Sequence, residues 1–147
     1  MTTSLIIDAS VFLKFFLPEE QSEYAHKLLV NMQQDETIHW MAPELVYAEV
    51  ANALFKKVKN DALSFEDAEE ILTTIIADCL VAPVPYADLL EDALNVAYQI
   101  EHDAIYDCLY LVLAIDANGQ FVTADKRFYK KVTKTKYKES VMYIEDV

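Results

Sequence analysis

Four acidic residues lie in or beside apolar stretches of the sequence, where a charged carboxylate is costly to bury. Asp8 follows the apolar residues 5–7, Glu49 lies within the mostly apolar stretch 45–50, Asp107 precedes the apolar run 108–115, and Asp125 follows the strand-like residues 121–124. An isolated buried carboxylate costs on the order of several kcal/mol unless a proton or a cation neutralises it. The four acids therefore predict one shared cation.

Magnesium and manganese are the ions that such a set of acids favours, because both prefer hard oxygen ligands and usually keep several waters. A metal held in this way can activate a water molecule, orient a phosphate and stabilise charge on a leaving oxygen. The sequence shows no cysteine that is a candidate nucleophile and no Ser–His pair whose spacing indicates a catalytic pair. Attack by water is therefore the simplest chemistry.

Three of the acids also have an ordinary structural interpretation. Asp8 and Asp125 each precede a predicted helix, where an aspartate commonly acts as the N-cap. Glu49 shares a helical stripe with Asn52 and Lys56, which is typical of a solvated helix face. These interpretations compete with the metal site, but each explains only one acid at a time.

Asp107 is the hardest acid to explain by structure alone, because the helix residues that follow it, 108–115, carry no charge. Asp103 lies four residues earlier on the same helical face, and we interpret it as the cap of that helix rather than as a ligand. Short polar side chains near the four acids could support them or a metal-bound water. These supporting residues are Ser10, Thr123 and Asn52.

The charge distribution is uneven, although the net charge of −13 disfavours a polyanionic partner. Seven of the 12 basic residues fall between Lys126 and Lys138, and no acid lies in that window. Aromatic residues alternate with these cations, as in proteins that track a nucleic-acid backbone and stack on bases. The alternative is a solvated helix whose aromatics enter the core. The predicted phosphate contacts are Lys126, Arg127, Lys130 and Lys131.

The totals predict one domain over residues 1–147, in a soluble cytoplasmic protein with no signal peptide. The longest apolar run is far shorter than the ~20 residues of a membrane span. Cys79 and Cys108 are too few for a disulfide framework and are interpreted as core thiols. A single glycine, Gly119, excludes the glycine-rich loops that cradle nucleotide phosphates.

Short apolar strands alternate with helices along the chain, which indicates a parallel α/β sheet covered on both faces. We therefore predict a three-layer α/β/α sandwich with a short, mainly parallel central sheet. Ligands of such sheets bind beyond the carboxyl ends of the strands, where Asp8 and Asp125 lie. The predicted strands are 4–8, 39–41, 81–84, 120–123 and 141–144, and the predicted helices are 10–17, 21–34, 43–59, 64–77, 87–100, 103–118 and 126–134.

At these residues the chain resembles the PIN-domain family, in particular the VapC-type toxin ribonucleases. The matching segments are 7–11, 43–54, 106–114 and 122–128. The resemblance implies a PIN-like fold and an endoribonuclease dependent on Mg²⁺ or Mn²⁺. It implies that Asp8, Glu49, Asp107 and Asp125 are the catalytic acids and metal ligands. It also implies an RNA substrate, a homodimer, and a cognate antitoxin whose tail blocks the site.

Two other functions fit parts of the sequence. A phosphatase-like or receiver-like α/β protein would use an aspartate as nucleophile or phosphate acceptor. Such proteins typically carry a second acid close by in sequence, whereas Asp8 is followed by Ala9 and Ser10. A catalytically silent binding or regulatory module of the same fold would use apolar stretches such as 11–17 for a partner. Metal-dependent cleavage of RNA would separate the nuclease from both alternatives.

Overall fold

The centre of the protein is a five-stranded sheet in which every neighbouring pair of strands is parallel. The computed structural model describes residues 2–147. The strands are arranged in the order β3-β2-β1-β4-β5. Their bounds are Thr3–Ile7 (β1), Ile38–Pro43 (β2), Ala82–Val84 (β3), Gln120–Thr123 (β4) and Val141–Tyr143 (β5).

Helices cover both faces of this sheet. Successive residues of a strand point to opposite faces, and both Ile6 and Ile7 of β1 are completely buried. This confirms the predicted three-layer α/β/α fold. The helices are α1 (Ala9–Leu13), α2 (Ser22–Gln34), α3 (Leu45–Lys59), α4 (Phe65–Asp78), α5 (Leu90–Gln99), α6 (Tyr106–Asp116) and α7 (Lys126–Val132), with short 3₁₀ helices at Ala87–Leu89, Lys138–Ser140 and Ile144–Asp146.

Helix α6 contains more buried residues than any other element that the structure describes. It packs against β1, β2 and β4. Seven consecutive residues, 108–114, are buried in it. A helix that is apolar all round lies inside the protein rather than on its surface. Asp107 stands in the first turn of this helix, so the fold carries that carboxylate to the edge of the core.

The strand order places the candidate site at the point where the chain reverses direction across the sheet. From β1 the chain builds outward through β2 and β3, and it then returns to the other side of β1 for β4 and β5. Binding crevices of open parallel sheets form at such a switch, beyond the carboxyl ends of the strands. Asp8 follows β1 and Asp125 follows β4, the two strands on either side of the switch.

Several predicted helix boundaries are wrong: α1 ends at Leu13 rather than at residue 17, and strand pairing or side-chain contacts explain the starts of α3 and α6. Pro43 does not open α3: it ends β2 and pairs in register with Val84, so the helix begins at Leu45. Asp103 does not cap α6, which begins at Tyr106 without a side-chain cap. The exposed Asp103 carboxylate instead lies 3.8 Å from Arg127.

The end of α6 and one cysteine also differ from prediction. Helix α6 ends at Asp116 rather than at the predicted residue 118, and Asn118 beyond it is left-handed, with φ 50. Gly119 is needed for space, because a Cβ there would lie 2.1 Å from the Ser4 carbonyl oxygen in β1. Cys79 is exposed, so it is not a core thiol, whereas Cys108 is buried as expected.

Within residues 2–147, no helix combines the length and hydropathy needed to cross a bilayer.

Candidate active site

Asp8 is placed by the change from β1 to α1. Its backbone is extended, with φ −98 and ψ 178, and it is the N-cap of α1. Oδ1 accepts the Val11 backbone N–H at 3.1 Å and the Ser10 hydroxyl at 2.7 Å. The same oxygen of Asp8 therefore caps α1 and accepts a hydrogen bond from Ser10, which was predicted to support it. None of the described residues bonds to Oδ2, which remains available to a ligand.

Glu49 lies in the middle of α3 and is held by a tyrosine of the buried helix. The Tyr110 hydroxyl donates to Glu49 Oε1 at 2.5 Å. Only 1% of Tyr110 is exposed, and its ring stacks on Phe121 of β4 with centroids 5.5 Å apart. Because the ring is fixed in the core, the hydrogen bond fixes the position of Glu49.

Asp107 is held by His102, which lies in the loop before α6. His102 Nε2 is 3.0 Å from Asp107 Oδ2, and the imidazole packs on Phe128 at a centroid distance of 4.9 Å. His102 Nδ1 is buried and finds no partner among residues 2–147. Because an ionised carboxylate only accepts hydrogen bonds, Nε2 is the donor in the contact with Asp107.

Asp125 follows β4 and caps α7. Its Oδ1 accepts the Phe128 backbone N–H at 3.0 Å, and its own N–H donates to Thr123 Oγ1 at 3.0 Å. Thr123 is fully buried, so this predicted supporting residue anchors the turn. The β1–β4 register pairs Ile7 with Val122, which sets Asp125 two residues beyond the level of Asp8.

The pKa shifts show that three of the four acids share one electrostatic environment. Burial raises the pKa of Asp8 to about 6, opposed by its hydrogen bonds from Ser10 and Val11 and reinforced by the charges of Asp107 and Glu49. Burial also raises the pKa of Glu49, with the Tyr110 bond lowering it and the Asp107 charge raising it further. Like charges disfavour one another's ionised form.

The Tyr110 hydroxyl senses the same three acids. Its pKa is raised by burial first, then by its bond to Glu49, and further by the charges of Glu49, Asp8 and Asp107. Asp125 is absent from the causes of all three shifts. The charges of Asp8, Glu49 and Asp107 thus act on one another or on Tyr110, whereas the exposed Asp125, which caps α7, is not among the causes of these shifts.

The donor chemistry of these acids fits a hydrated divalent cation. No Lys, Arg or His of the described chain forms an ion pair with Asp8 or Glu49, so their charge is uncompensated. Among residues 2–147, however, no three His, Cys, Asp or Glu side chains are grouped closely enough to hold one ion. Carboxylate oxygens that act partly through water suit Mg²⁺, which keeps several of its waters.

Two further predicted groups of residues border surface cavities. Asn52 is exposed and borders a crevice of about 270 Å³ together with Asp8, Ser10, Glu49 and Lys56. The predicted phosphate-binding residues border a separate surface cavity of about 450 Å³, together with Lys134. This second group comprises Lys126, Arg127, Lys130 and Lys131.

The basic helix only partly matches its predicted role. Its cations face solvent, but Lys131 Nζ also donates to the Glu101 carbonyl at 3.0 Å, and Lys126 lies 5.8 Å from the ring centre of Tyr143. Phe128 is completely buried, so it cannot stack on a base. For this aromatic residue, the alternative of a ring that enters the core is confirmed.

Sequence reasoning missed His102 and Tyr110 as partners of the acids. Tyr110 left a signal: a tyrosine inside a wholly buried helix needs a hydrogen-bond partner for its hydroxyl. His102 left none, because a spacing of five residues from Asp107 across a helix start matches no helical face.

Comparison with known proteins agrees with this geometry. The PIN domain family matches residues 5–134. Ribonuclease VapC3 of Pyrobaculum aerophilum is 30% identical over 129 residues, which cover 86% of this chain and 93% of that protein. The crystal structure of PAE2754 from Pyrobaculum aerophilum superposes with a TM-score of 0.69 at 19% identity, covering 97% of this chain and 85% of that one. This chain therefore belongs to the PIN domain family.

Proposed function

We propose that this chain is a metal-dependent endoribonuclease that hydrolyses RNA phosphodiester bonds and acts as the toxin of a toxin–antitoxin pair. A single PIN-like domain over residues 1–147 carries the activity. The observation that supports it best is that Asp8 and Glu49 line one crevice, that the charge of Asp107 raises the pKa of both, and that none of the three forms an ion pair with a lysine or arginine among the described residues. The name of the relative, Ribonuclease VapC3, supports the same activity.

Each acid has a distinct role in this proposal. Asp8, Asp107 and Asp125 would hold Mg²⁺ or Mn²⁺, and each keeps one carboxylate oxygen that no described residue occupies. When bound, the ion polarises the scissile phosphate and lowers the pKa of a water. Glu49, held by Tyr110 through Oε1, uses Oε2 to contact the metal through water or to orient the attacking water.

The test compares two aspartates on the same stretch of chain. Asp107→Asn removes a charge of the site, and we expect it to lower Mg²⁺- or Mn²⁺-dependent RNA cleavage by roughly 100-fold or more while preserving the fold. Asp103→Asn is the matched control, because Asp103 is exposed and pairs only with Arg127. Chelation of the metal should abolish cleavage by the wild-type protein.

Two results would contradict the proposal. One is full cleavage by a pure Asp107→Asn preparation. The other is a set of fragments that end in a 2′,3′-cyclic phosphate, because that product requires attack by the neighbouring ribose hydroxyl instead of water. Mapping both fragment ends after digestion of total RNA distinguishes these chemistries directly.

The proposal includes the partners and location that the family resemblance implies. We infer a cognate antitoxin that blocks the acidic site, a homodimer, and a cytoplasmic setting. Support for a partner surface comes from Phe55 and Phe65, two large apolar side chains that remain exposed at a cavity of about 170 Å³ between α3 and α4. Sedimentation of the purified protein tests the dimer, for which the expected mass is that of two chains.

A further inference from the structure

The last turn of α3 carries three lysines, and two of them have partners. Lys57 Nζ lies 2.6 Å from Glu19 Oε1, and Lys59 Nζ lies 5.9 Å from the ring centre of Phe55. Lys56 is exposed, and its side chain forms no ion pair, hydrogen bond or cation–π contact with any residue of the described range 2–147. Its ammonium group is therefore available to a ligand.

Lys56 borders the crevice that contains the acids. Asp8, Ser10 and Glu49 line the same crevice of about 270 Å³, and so does Asn52. Asn52 and Lys56 are four residues apart on α3, so their side chains share one face of the helix. An amide N–H donor and an ammonium group are side chains of the kind that bind phosphate oxygens.

The sheet order sets this crevice opposite the basic helix. Strands β2 and β4 flank β1, which Asp8 follows directly. Helix α3 begins just beyond β2, and α7 begins just beyond β4. The two helices thus begin on opposite sides of the strand that Asp8 follows, and Lys56 lines the crevice beside Asp8. A nucleic-acid strand that contacts α7 and passes over Asp8 continues towards Lys56.

A counter-ion role for Lys56 is inconsistent with its contacts. Such a role would bring Nζ within 4.0 Å of Asp8 or Glu49, and the described residues contain no such pair. The chain has a net charge of −13, and the acids of the site repel a phosphate, so a bound strand needs cations on both sides of them.

We propose that Lys56, assisted by Asn52, binds a backbone phosphate of the RNA on the α3 side of the acids, while α7 binds the backbone on the other side. The proposal rests on the proposed ribonuclease function. In this proposal the RNA strand crosses the acidic site, with α7 contacting its backbone on one side and Lys56 of α3 on the other. It also adds to the basic helix a phosphate contact that is distant from it in sequence.

The test measures binding of a fluorescein-labelled single-stranded RNA by anisotropy, with Mg²⁺ present and in an Asp107→Asn background so that the RNA persists. Each phosphate contact on a single strand contributes about −0.7 to the slope of log affinity against log salt concentration. We expect Lys56→Met to weaken binding by roughly three- to tenfold and to reduce the slope by about 0.7. Lys130→Met on α7 should have a similar effect, and the two changes should add.

Lys59→Met is the matched control, because it removes the same charge from the same helix turn at a residue that does not border the crevice. It should leave both affinity and slope unchanged. If Lys56→Met behaves like Lys59→Met while the wild-type protein cleaves RNA, the phosphate contact is refuted and the ribonuclease function stands. If the wild-type protein neither binds nor cleaves RNA, both proposals are overturned.

Discussion

Replacing Asp8 by asparagine should stabilise the metal-free protein while removing a group that the activity needs. The pKa of Asp8 is raised from 3.8 to about 6 by burial and by the nearby charges of Asp107 and Glu49. Asparagine keeps an oxygen that can accept from Val11 N–H and from the Ser10 hydroxyl, and it caps helices about as well as aspartate. The substitution therefore isolates the charge.

The sign and size of the effect follow from the shift. A carboxyl group whose pKa is raised by folding holds its proton more tightly in the folded state, so stability is highest below the unfolded pKa and falls as pH rises through the folded one. For Asp8 the loss amounts to about 3 kcal/mol at neutral pH and to about 1.5 kcal/mol near pH 5. Asp8→Asn removes this loss.

Urea unfolding of both proteins in a chelating buffer measures the difference. The free energy of unfolding of Asp8→Asn should exceed that of the wild type by about 3 kcal/mol near pH 7.5 and by about half of that near pH 5. Asp8→Ala serves as a control, because it removes the charge and also the cap, which is worth about 1 kcal/mol. It should therefore gain less than asparagine.

Added Mg²⁺ or Mn²⁺ should largely cancel the difference in stability between the two proteins. A ligand that binds only the folded state at about 100 times its Kd stabilises that state by about 2.7 kcal/mol, which is comparable to the gain from removing the charge. Only the wild-type protein keeps the full set of acids for this effect. A stability difference that does not change with pH, or that favours the wild type without metal, would refute the electrostatic reasoning.

Two further substitutions test other parts of the site and the fold. Tyr110→Phe removes the hydroxyl bound to Glu49 but keeps the ring on Phe121, so we expect cleavage to fall by roughly tenfold or more with little change in melting temperature. Since that bond lowers the pKa of Glu49, the rise of activity with pH should move to higher pH, and an unchanged pH–rate profile would contradict its positioning role. Gly119→Ala places a Cβ 2.1 Å from the Ser4 carbonyl oxygen, so chemical denaturation should show a loss of about 2 kcal/mol or more. Asn118→Gly is its control and should be nearly neutral, because Asn118 already has a positive φ.

Local sequence patterns were sufficient to predict the sheet and the edge of it that carries the acids. Short apolar runs bounded by polar residues predicted β1 and β4, and the acids after them follow strand ends in the structure. The run 108–115 carries no charge, and its residues 108–114 are buried in α6. These features depend on neighbouring residues in the chain, so they can be predicted from the sequence alone.

Features that depend on contacts distant in sequence could not be predicted in this way. Tyr110 reaches Glu49 across 61 residues, and the clash that requires Gly119 involves Ser4. Pro43 fits the first turn of a helix by sequence, but its pairing with Val84 keeps it in the sheet. In each case a tertiary contact decides between local conformations that the sequence alone leaves nearly equal.

The hydrogen bonds of the acids do not by themselves distinguish a site from a structural cap; burial does. Asp35 accepts two bonds from Thr37 through Oδ1, much as Asp8 accepts bonds from Ser10 and Val11 through Oδ1. The bonds lower the pKa of the exposed Asp35, because water solvates its remaining oxygen. Similar bonds do not lower the pKa of Asp8 below its usual value, because burial and the charges of Asp107 and Glu49 raise that pKa more. Burial and neighbouring like charges do not help a carboxylate that only caps a helix. They therefore favour a bound cation that neutralises Asp8.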